Sequence, residues 1–289
     1  MRKILVPCDF SLPAKEAFKF ALEIASRSKG EVFVVHAIHL PIQVETTFGI
    51  QPYPMDIELI NKIEAEAADA FNRLNAIYSS GDITVHFNTF HDLVLPVVLN
   101  FIRAHDIDLV VMGATGSSGF TEVFIGSNTE KVVRFSSVPV IALRKAYGLE
   151  RFQHIVLPSD FGLNQTGFMN RIQILQEFFQ ATLDIIHINT PRNFITDREG
   201  HEALQEFANH YRLKNFTLNF RNAYSEEDGI ITFAHEIQAN LIAMGTHGRK
   251  GLRHLLKGSI TEAVVSHLEC PIWTYTLKHH QDKQALLVN

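Results

Sequence analysis

The sequence predicts an α/β protein made of two tandem doubly wound domains, each with a parallel five-stranded sheet. Three observations support this prediction. Short apolar segments with strand character alternate with longer segments of helical periodicity. The apolar segments are continuous, as strands covered on both faces require. The whole series occurs twice along 289 residues, a length that can bury two ordinary cores.

The predicted elements follow the same order in both repeats. In the first repeat, strands are predicted at residues 3–9, 31–38, 83–90, 108–113 and 139–144. Helical spacing predicts helices between them at residues 11–29, 56–78, 91–105 and about 126–135. The second repeat has matching strands at residues 154–160, 183–189, 216–223, 240–245 and 271–276. Strands and helices that alternate in this way form a doubly wound sheet.

The last strand of each repeat begins with a proline, Pro139 or Pro271, which is tolerated at a sheet edge. Because the exposed edge of a sheet is usually covered by another segment, we expect these two strands to pair with each other. The chain would then be an internal pseudo-dimer. We place the domains at residues 1–148 and 149–289. The first repeat is longer, and its additional residues are assigned to a proline-rich loop at 39–55, of a kind that often acts as a lid or a contact surface.

A glycine motif recurs in both repeats at one constant offset. Its positions in the first repeat, followed by those in the second, are Gly113, Gly116, Gly126 and Ser127, then Gly245, Gly248, Gly258 and Ser259. Glycines held in register over such a distance indicate a duplication. In each repeat the motif follows a buried strand and precedes a segment of helical spacing. It therefore predicts a strand, a glycine loop and a helix N-terminus.

Such a junction exposes unpaired backbone N–H groups and the positive end of a helix dipole, so it suits a phosphate group. Asp9 and Asp160 end the first strand of each repeat on the same carboxyl side, where α/β sheets bind ligands. A purely structural alternative stays open. The glycines can serve turn geometry, and Asp9 with Ser11 can cap the next helix. The conserved spacing in both copies favours phosphate binding in at least one of them.

Composition excludes several classes of function. The net charge of −5, with scattered Lys and Arg, argues against a nucleic-acid partner. No apolar run approaches the length of a membrane span or a signal peptide, so we expect a cytoplasmic protein. The two cysteines, Cys8 and Cys270, fall on Ser159 and Val138 in the other repeat, which favours buried, reduced thiols. The P-loop and dinucleotide fingerprints are also missing.

These residues resemble the universal stress protein family, whose ATP-binding members carry Gly-x2-Gly-x9-Gly-Ser/Thr and an Asp at the end of the first strand. Both repeats match in full, and Met112-Gly113 and Met244-Gly245 add to the likeness. The resemblance implies a Rossmann-like sheet of order 3-2-1-4-5, with ATP across the ends of strands one and four.

The resemblance also implies a set of nucleotide contacts. Asp9 and Asp160 would contact the adenosine, and the backbones of Ala37 and Ile188 the adenine. The glycines and serines of the motif would hold the ribose and phosphates, with a divalent metal such as Mg²⁺ as a bridge. The remaining predicted contacts are Pro7, Met112, Pro158 and Met244.

The two glycine loops differ in charge. The second repeat has His247, Arg249, Lys250 and Arg253 where the first has Thr115, Ser117, Ser118 and Thr121. Because charged contacts to phosphate are stronger than neutral ones, we expect the second repeat to accept more phosphate charge.

We interpret the protein as a stress-response module that binds ATP, or AMP or ADP, with little or no catalysis. The nucleotide would alter its assembly, as a pseudo-dimer or a homodimer, or its partner surface. Two alternatives remain, a slow ATPase or phosphotransfer enzyme and a partner-binding scaffold without ligand. The histidines shared by the repeats, His36 and His187, end buried strands, where a hydrogen-bonded core role is expected. No catalytic residue and no metal ligand is nominated.

Overall fold

The computed structural model of the protein describes residues 1–38, 43–46, 49–52, 57–79, 81–114, 126–246 and 270–276. The chain forms two compact units, Met1–Gly113 and Ala114–Asn289. Gly116, Gly248, Gly258, Ser259 and the basic loop of the second repeat lie outside the described residues.

The first unit is a parallel sheet with helices between its strands. Its elements are β1 Lys3–Pro7, α1 Leu12–Ser28, β2 Glu31–Ala37, β3 Gln43–Thr46, β4 Gly49–Pro52, α2 Ile57–Tyr78, β5 Thr84–Phe90, α3 Val94–His105 and β6 Leu109–Gly113. The main sheet runs β5-β2-β1-β6, and its three pairings are parallel. β3 and β4 form a separate antiparallel pair inside the segment predicted as a loop.

The second unit has the same architecture, and in the described residues its sheet has six strands where the main sheet of the first unit has four. Its elements are α4 Ser127–Phe135, β7 Val140–Leu143, β8 His154–Pro158, α5 Thr166–Phe179, β9 Thr182–Asn189, α6 Asp197–His210, β10 Phe216–Asn222, α7 Glu226–Glu236, β11 Leu241–Thr246 and β12 Ile272–Thr276. A single 3₁₀ turn, Leu149–Arg151, precedes β8. The strand order is β10-β9-β8-β11-β12-β7.

This topology confirms the predicted α/β class and strand order. In the second repeat, β10-β9-β8-β11-β12 is the order 3-2-1-4-5, and the first unit shows the corresponding 3-2-1-4. The predicted pairing of the two last strands is also present. β12 runs antiparallel to β7, with Trp273 opposite Ile141. This pairing explains why β7, which belongs to the first repeat by sequence, is part of the second unit.

A side-chain clamp sets the register between strands one and four of each repeat. In the first unit, Asp108 Oδ2 accepts hydrogen bonds from the N–H groups of Arg2 at 2.7 Å and Lys3 at 3.1 Å. In the second unit, Asn240 Oδ1 accepts from the N–H groups of Gln153 at 3.0 Å and His154 at 3.1 Å. Since the amino ends are fixed together, the carboxyl ends of these two parallel strands emerge side by side.

Candidate functional site

A cavity of about 400 Å³ opens at the carboxyl ends of β8, β9 and β11 in the second unit. The order of the sheet reverses at β8, because β9 lies on one side of it and β11 on the other. Ligands of α/β sheets bind at this kind of switch point. The volume is within the range of small-molecule sites.

The cavity collects every residue of the second-repeat prediction that the structure describes. These five residues are Pro158, Asp160, Ile188, Met244 and Gly245. The other lining residues are Ser159, Phe161, Gln165, Phe168, Ile186, His187, Asn193, Ile195, Glu226 and Ile230. The cavity therefore lies at the ends of strands one, two and four of the repeat, and the second-repeat site stays a prediction.

The backbone of Ile188 faces the cavity. The last backbone bond between β8 and β9 runs from the Ser159 N–H to the Ile186 carbonyl, at 2.9 Å. Alternate residues of a strand direct their N–H and C=O groups to the same neighbour. Ile188 follows Ile186 by two residues, so its N–H and C=O groups also point to the β8 side of β9. β8 ends at Pro158, below the level of Ile188. A planar ligand placed there meets one donor and one acceptor next to each other.

Asp160 combines a structural role with an accessible carboxylate. Its Oδ1 accepts hydrogen bonds from the Gly162 N–H at 3.1 Å and from Gln165 Nε2 at 3.2 Å, which hold the loop after β8. Within the described part of the chain, Oδ2 has no hydrogen-bond partner. The exposed carboxylate can therefore accept hydrogen bonds from ligand hydroxyl groups without releasing the loop.

His187 fixes the backbone on which Asp160 sits. Its Nδ1 lies 2.9 Å from the Ser159 carbonyl, and because a carbonyl only accepts, Nδ1 carries the hydrogen. In the neutral ring, Nε2 is then an acceptor. This atom is buried and has no partner among the described residues. The histidine is hydrogen-bonded at a strand end, as the sequence predicts.

Tyr211 closes the loop from the opposite side, and sequence reasoning missed it. Its hydroxyl accepts from the Gln165 N–H at 2.9 Å and donates to the Gly162 carbonyl at 2.9 Å. Burial raises the pKa of the Tyr211 hydroxyl, and the nearby charge of Asp160 adds to the shift. The phenol is therefore neutral at physiological pH and can donate. It lies on the C-terminal side of α6, far along the chain, so no local pattern signals it.

The side wall of the cavity is held by Asn189, which is buried. Its Oδ1 accepts from the Ile195 N–H at 3.0 Å, and its Nδ2 donates to the Ile195 carbonyl at 3.2 Å and to Asn222 Oδ1 at 2.7 Å. These bonds fix the loop that brings Asn193 and Ile195 to the cavity. The wall is thus preformed by the protein itself.

The predicted site residues of the first unit also lie at the carboxyl ends of strands. Pro7 is the last residue of β1, Ala37 of β2, and Gly113, preceded by Met112, of β6. The Cys8 N–H donates to the Val35 carbonyl at 2.9 Å, as the Ser159 N–H donates to the Ile186 carbonyl in the second unit. Ala37 follows Val35 by two residues, so it occupies the position that Ile188 has in the second unit.

The structural alternative for this repeat is also present. Asp9 Oδ1 accepts from the Ser11 N–H at 3.0 Å, and Ser11 Oγ accepts from the Ala14 N–H at 3.4 Å at the start of α1. A Cβ on Gly113 would lie 2.5 Å from the backbone of Pro13, so packing alone requires glycine there.

Gly126 and Ser127 begin α4, as the sequence predicts. Gly126 is the N-cap, with an extended backbone at φ −50° and ψ 138°, and its carbonyl accepts from the Glu130 N–H at 3.0 Å. Glycine supplies no side-chain cap, so the first N–H groups of the helix have no intrahelical acceptor.

The described residues contain no cluster of three or more His, Cys, Asp or Glu side chains arranged to hold a metal ion. Among them, no helix combines the length and the apolar character needed to cross a bilayer. Cys8 is buried, Cys270 is partly buried, and both are free thiols.

Comparison with known proteins gives a consistent result. The model of the universal stress protein family matches residues 1–144 and again 151–275. Universal stress protein MJ0531 of Methanocaldococcus jannaschii is 26% identical over 145 residues, which cover 50% of this chain and 82% of that protein. Universal stress protein YxiE of Bacillus subtilis is 26% identical over 147 residues, which cover 49% of this chain and 98% of that protein.

A solved structure extends the likeness to both repeats. The crystal structure of a universal stress protein from Archaeoglobus fulgidus superposes with a TM-score of 0.70 at 19% identity. The match covers 95% of this chain and 98% of that one. It shows that the two proteins share a fold.

Proposed function

Because the chain belongs to the universal stress protein family, we propose that its second repeat binds an adenine nucleotide in the cavity at β8, β9 and β11. The ligand is ATP, ADP or AMP, with or without Mg²⁺. The protein is a cytoplasmic stress-response module in which the bound nucleotide alters assembly or a partner surface. One observation carries the proposal: Asp160, the Ile188 backbone and Gly245 line the same cavity.

Recognition of the base is assigned to Ile188. Its N–H donates to N1 of adenine, and its C=O accepts from the exocyclic N6 amino group. The two backbone groups point to the β8 side of β9, at a position beyond the last residue of β8. The apolar faces of the ring are covered by Ile186 and Ile230, which are buried and line the same space. A flat, neutral base suits a slot of this kind.

Asp160 is assigned to the ribose. A carboxylate is an acceptor with several lone pairs, and a ribose offers two hydroxyl donors. Charge-assisted bonds of this type are stronger than neutral ones. Oδ1 stays with the loop, so Oδ2 receives the sugar. Next to a phosphate the same negative charge would be unfavourable, which orients the nucleotide with its phosphates toward Gly245.

The phosphates are assigned to the glycine motif whose first residue is Gly245, near the end of β11. Gly248, Gly258 and Ser259 continue this set by sequence, and the positive charges of the same loop favour a polyphosphate. The corresponding first-repeat set stays a prediction. Among solved universal stress proteins, one is a complex with cAMP. The proposal for this chain depends on its own cavity.

We propose that turnover is absent or slow, since phosphoryl transfer needs a positioned base and a well-held metal. Phosphate release from ATP by wild-type protein and by an Asp160→Ala variant separates the two cases. Trace release that is equal in both supports a binding module. Release that depends on Asp160 supports the slow ATPase instead.

Mass spectrometry of purified, denatured protein tests the binding proposal. Wild-type protein is expected to release an adenine nucleotide. Asp160→Asn keeps the Oδ1 acceptor for the loop and removes the charge, so it is expected to release much less. The matched control is Asp82→Asn, an exposed first-unit aspartate, which should behave as wild type. Equal nucleotide in the Asp160 variant and in wild type would contradict the assigned site.

A further inference from the structure

We propose a second ligand site in the same unit, at the amino ends of β8, β11 and β12, for a small aromatic monoanion. A cavity of about 410 Å³ opens there, on the opposite ends of the strands that form the nucleotide site. Its lining residues come from the segment before β8, the end of α7 and the starts of β11 and β12. They are Tyr147, Arg151, Phe152, Ala234, His235, Gln238, Ala239, Asn240, Cys270 and Pro271.

The cavity arises from residue size, as the two repeats show. Ala234 and Ala239 of the second repeat correspond to Ile102 and Ile107 of the first, and Cys270 corresponds to Val138. Ile102 and Ile107 are each 4% exposed, so in the first unit they fill buried space. Ala239 and Cys270 are partly exposed at the cavity, whereas Ala234 is 2% exposed, so the smaller side chains at positions 239 and 270 leave this part of the cleft open.

The walls combine apolar residues with the polar side chains of His235, Gln238 and Asn240. Phe152 and Pro271 are buried, and Tyr147 adds a second ring. Burial raises the pKa of the Cys270 thiol, so Cys270 lines the cavity as a neutral, weakly polar group. Asn240 is already engaged, because its Oδ1 accepts from the N–H groups of Gln153 and His154. Phe152 is 1% exposed and stacks on Phe179, so Tyr147, which is partly exposed, is the aromatic side chain that faces a flat ring system in the cleft.

Charge selects the sign of the ligand. Arg151 is exposed in the 3₁₀ turn that precedes β8, and it contributes a permanent positive charge. No acidic residue is among the described lining residues. A guanidinium can bind a carboxylate through two parallel hydrogen bonds. The ligand is therefore an aromatic ring with one carboxylate, oriented with its acid toward Arg151 and its ring toward Tyr147 and Ala239.

Two probes, 2-naphthoate and its neutral analogue 2-naphthamide, test the site by calorimetry on the full chain. We expect both to bind at one saturable site. Ala239→Ile restores the residue of the first repeat, so it should weaken both probes by about tenfold or more. The same variant should unfold at an equal or higher temperature, and its ATP affinity should stay unchanged.

Arg151→Gln separates the charge from the cavity. It should weaken 2-naphthoate by about tenfold and leave 2-naphthamide within about twofold. The control, Arg73→Gln on the exposed side of α2, should change neither affinity. Failure of both probes to saturate, or equal affinity in the Ala239→Ile variant, would overturn the site. Unchanged naphthoate affinity in Arg151→Gln would overturn the assignment of an anion. None of these results depends on nucleotide binding at the other end of the strands.

Discussion

The ring of Phe161 stacks on the imidazole of His187, with the ring centroids 4.0 Å apart and the planes inclined by 24°. The same histidine donates from Nδ1 to the carbonyl of Ser159. One side chain thus holds the residues immediately before and after Asp160. Phe161 has φ 64°, a left-handed conformation that bulky residues rarely adopt. Local strain of this kind is typical of functional sites.

The first repeat has the same arrangement. Phe10 has φ 62°, its ring centroid lies 4.9 Å from that of His36, and His36 Nδ1 donates to the Cys8 carbonyl at 2.7 Å. Two sequences that differ at most positions keep this turn. The shared Asp-Phe pair therefore positions the carboxylate at the end of the first strand.

Replacing His187 with leucine should disturb the site from outside it. The variant loses the bond to Ser159 and the stacking on Phe161, so the backbone on both sides of Asp160 is held less firmly. We expect ATP affinity to fall about tenfold and the free energy of unfolding to fall by about 1–3 kcal/mol. Calorimetry and urea denaturation measure the two effects. His201→Leu, an exposed histidine on α6, is the control; unchanged ATP affinity in His187→Leu would show that the turn does not position the site.

The orientation of the Ile188 backbone predicts selectivity among bases. Adenine presents an acceptor at N1 and a donor at N6, which match the N–H and C=O of Ile188. Guanine and hypoxanthine present a donor at N1 and an acceptor at O6, which leave both pairs mismatched. We expect GTP and ITP to bind about tenfold or more weakly than ATP, because unpaired buried polar groups cost about 1–3 kcal/mol. Competition against a fluorescent ATP analogue measures the ratio, and equal affinities would remove Ile188 from the base contact.

Tyr211→Phe removes one hydroxyl that joins two backbone groups of the loop after β8. The Gln165 N–H and the Gly162 carbonyl both lose their partner. We expect the free energy of unfolding to fall by about 1–3 kcal/mol, measured by urea denaturation. Tyr224→Phe is the matched control, because Tyr224 is 96% exposed. Equal stability of the two variants would mean that the bridge contributes little.

The buried Cys8 thiol is expected to make the free energy of unfolding fall as the pH rises. Burial raises the pKa of its thiol from 9.0 to about 11. The unfolded chain then ionises first, so the contribution of Cys8 to stability is complete below pH 9 and is lost as the pH rises toward 11. The expected loss is about 3 kcal/mol.

Cys8→Ser introduces the residue that the second repeat has at this position, Ser159. It should lose less stability than wild type between pH 9 and 11, as measured by urea denaturation at several pH values. Parallel pH profiles for the two proteins would contradict the burial of an ionisable thiol at this position.

Much of the fold follows from the repeat. The α/β class was predictable from continuous apolar strands that alternate with helices, and the pairing of β7 with β12 from an uncovered proline-led edge. The order of the strands was implied by the family resemblance. The β3–β4 pair was not predictable, because its strands are short and prolines surround them. The division into units also differs from the repeat boundary, since a strand belongs to the sheet that pairs with it.

The candidate site was predictable in part. Strand ends and the glycine motif placed Asp160 and Gly245 together, because parallel strands end at the same edge of a sheet, whereas Ile188 was implied by the family resemblance. Tyr211 reaches the site through tertiary packing, which leaves no trace in local sequence. Phe161 was within reach of the sequence, since the Asp-Phe pair occurs in both repeats, but its left-handed backbone is visible only in the structure.

Calorimetric titration of ATP into wild-type protein stripped of ligand tests the central claim most directly, with Asp160→Asn titrated alongside. We predict saturable binding to wild type, weakened by about tenfold in the variant because a charge-assisted bond is lost. The absence of binding heat with ATP, ADP and AMP at more than one temperature, on correctly folded protein, would contradict the account.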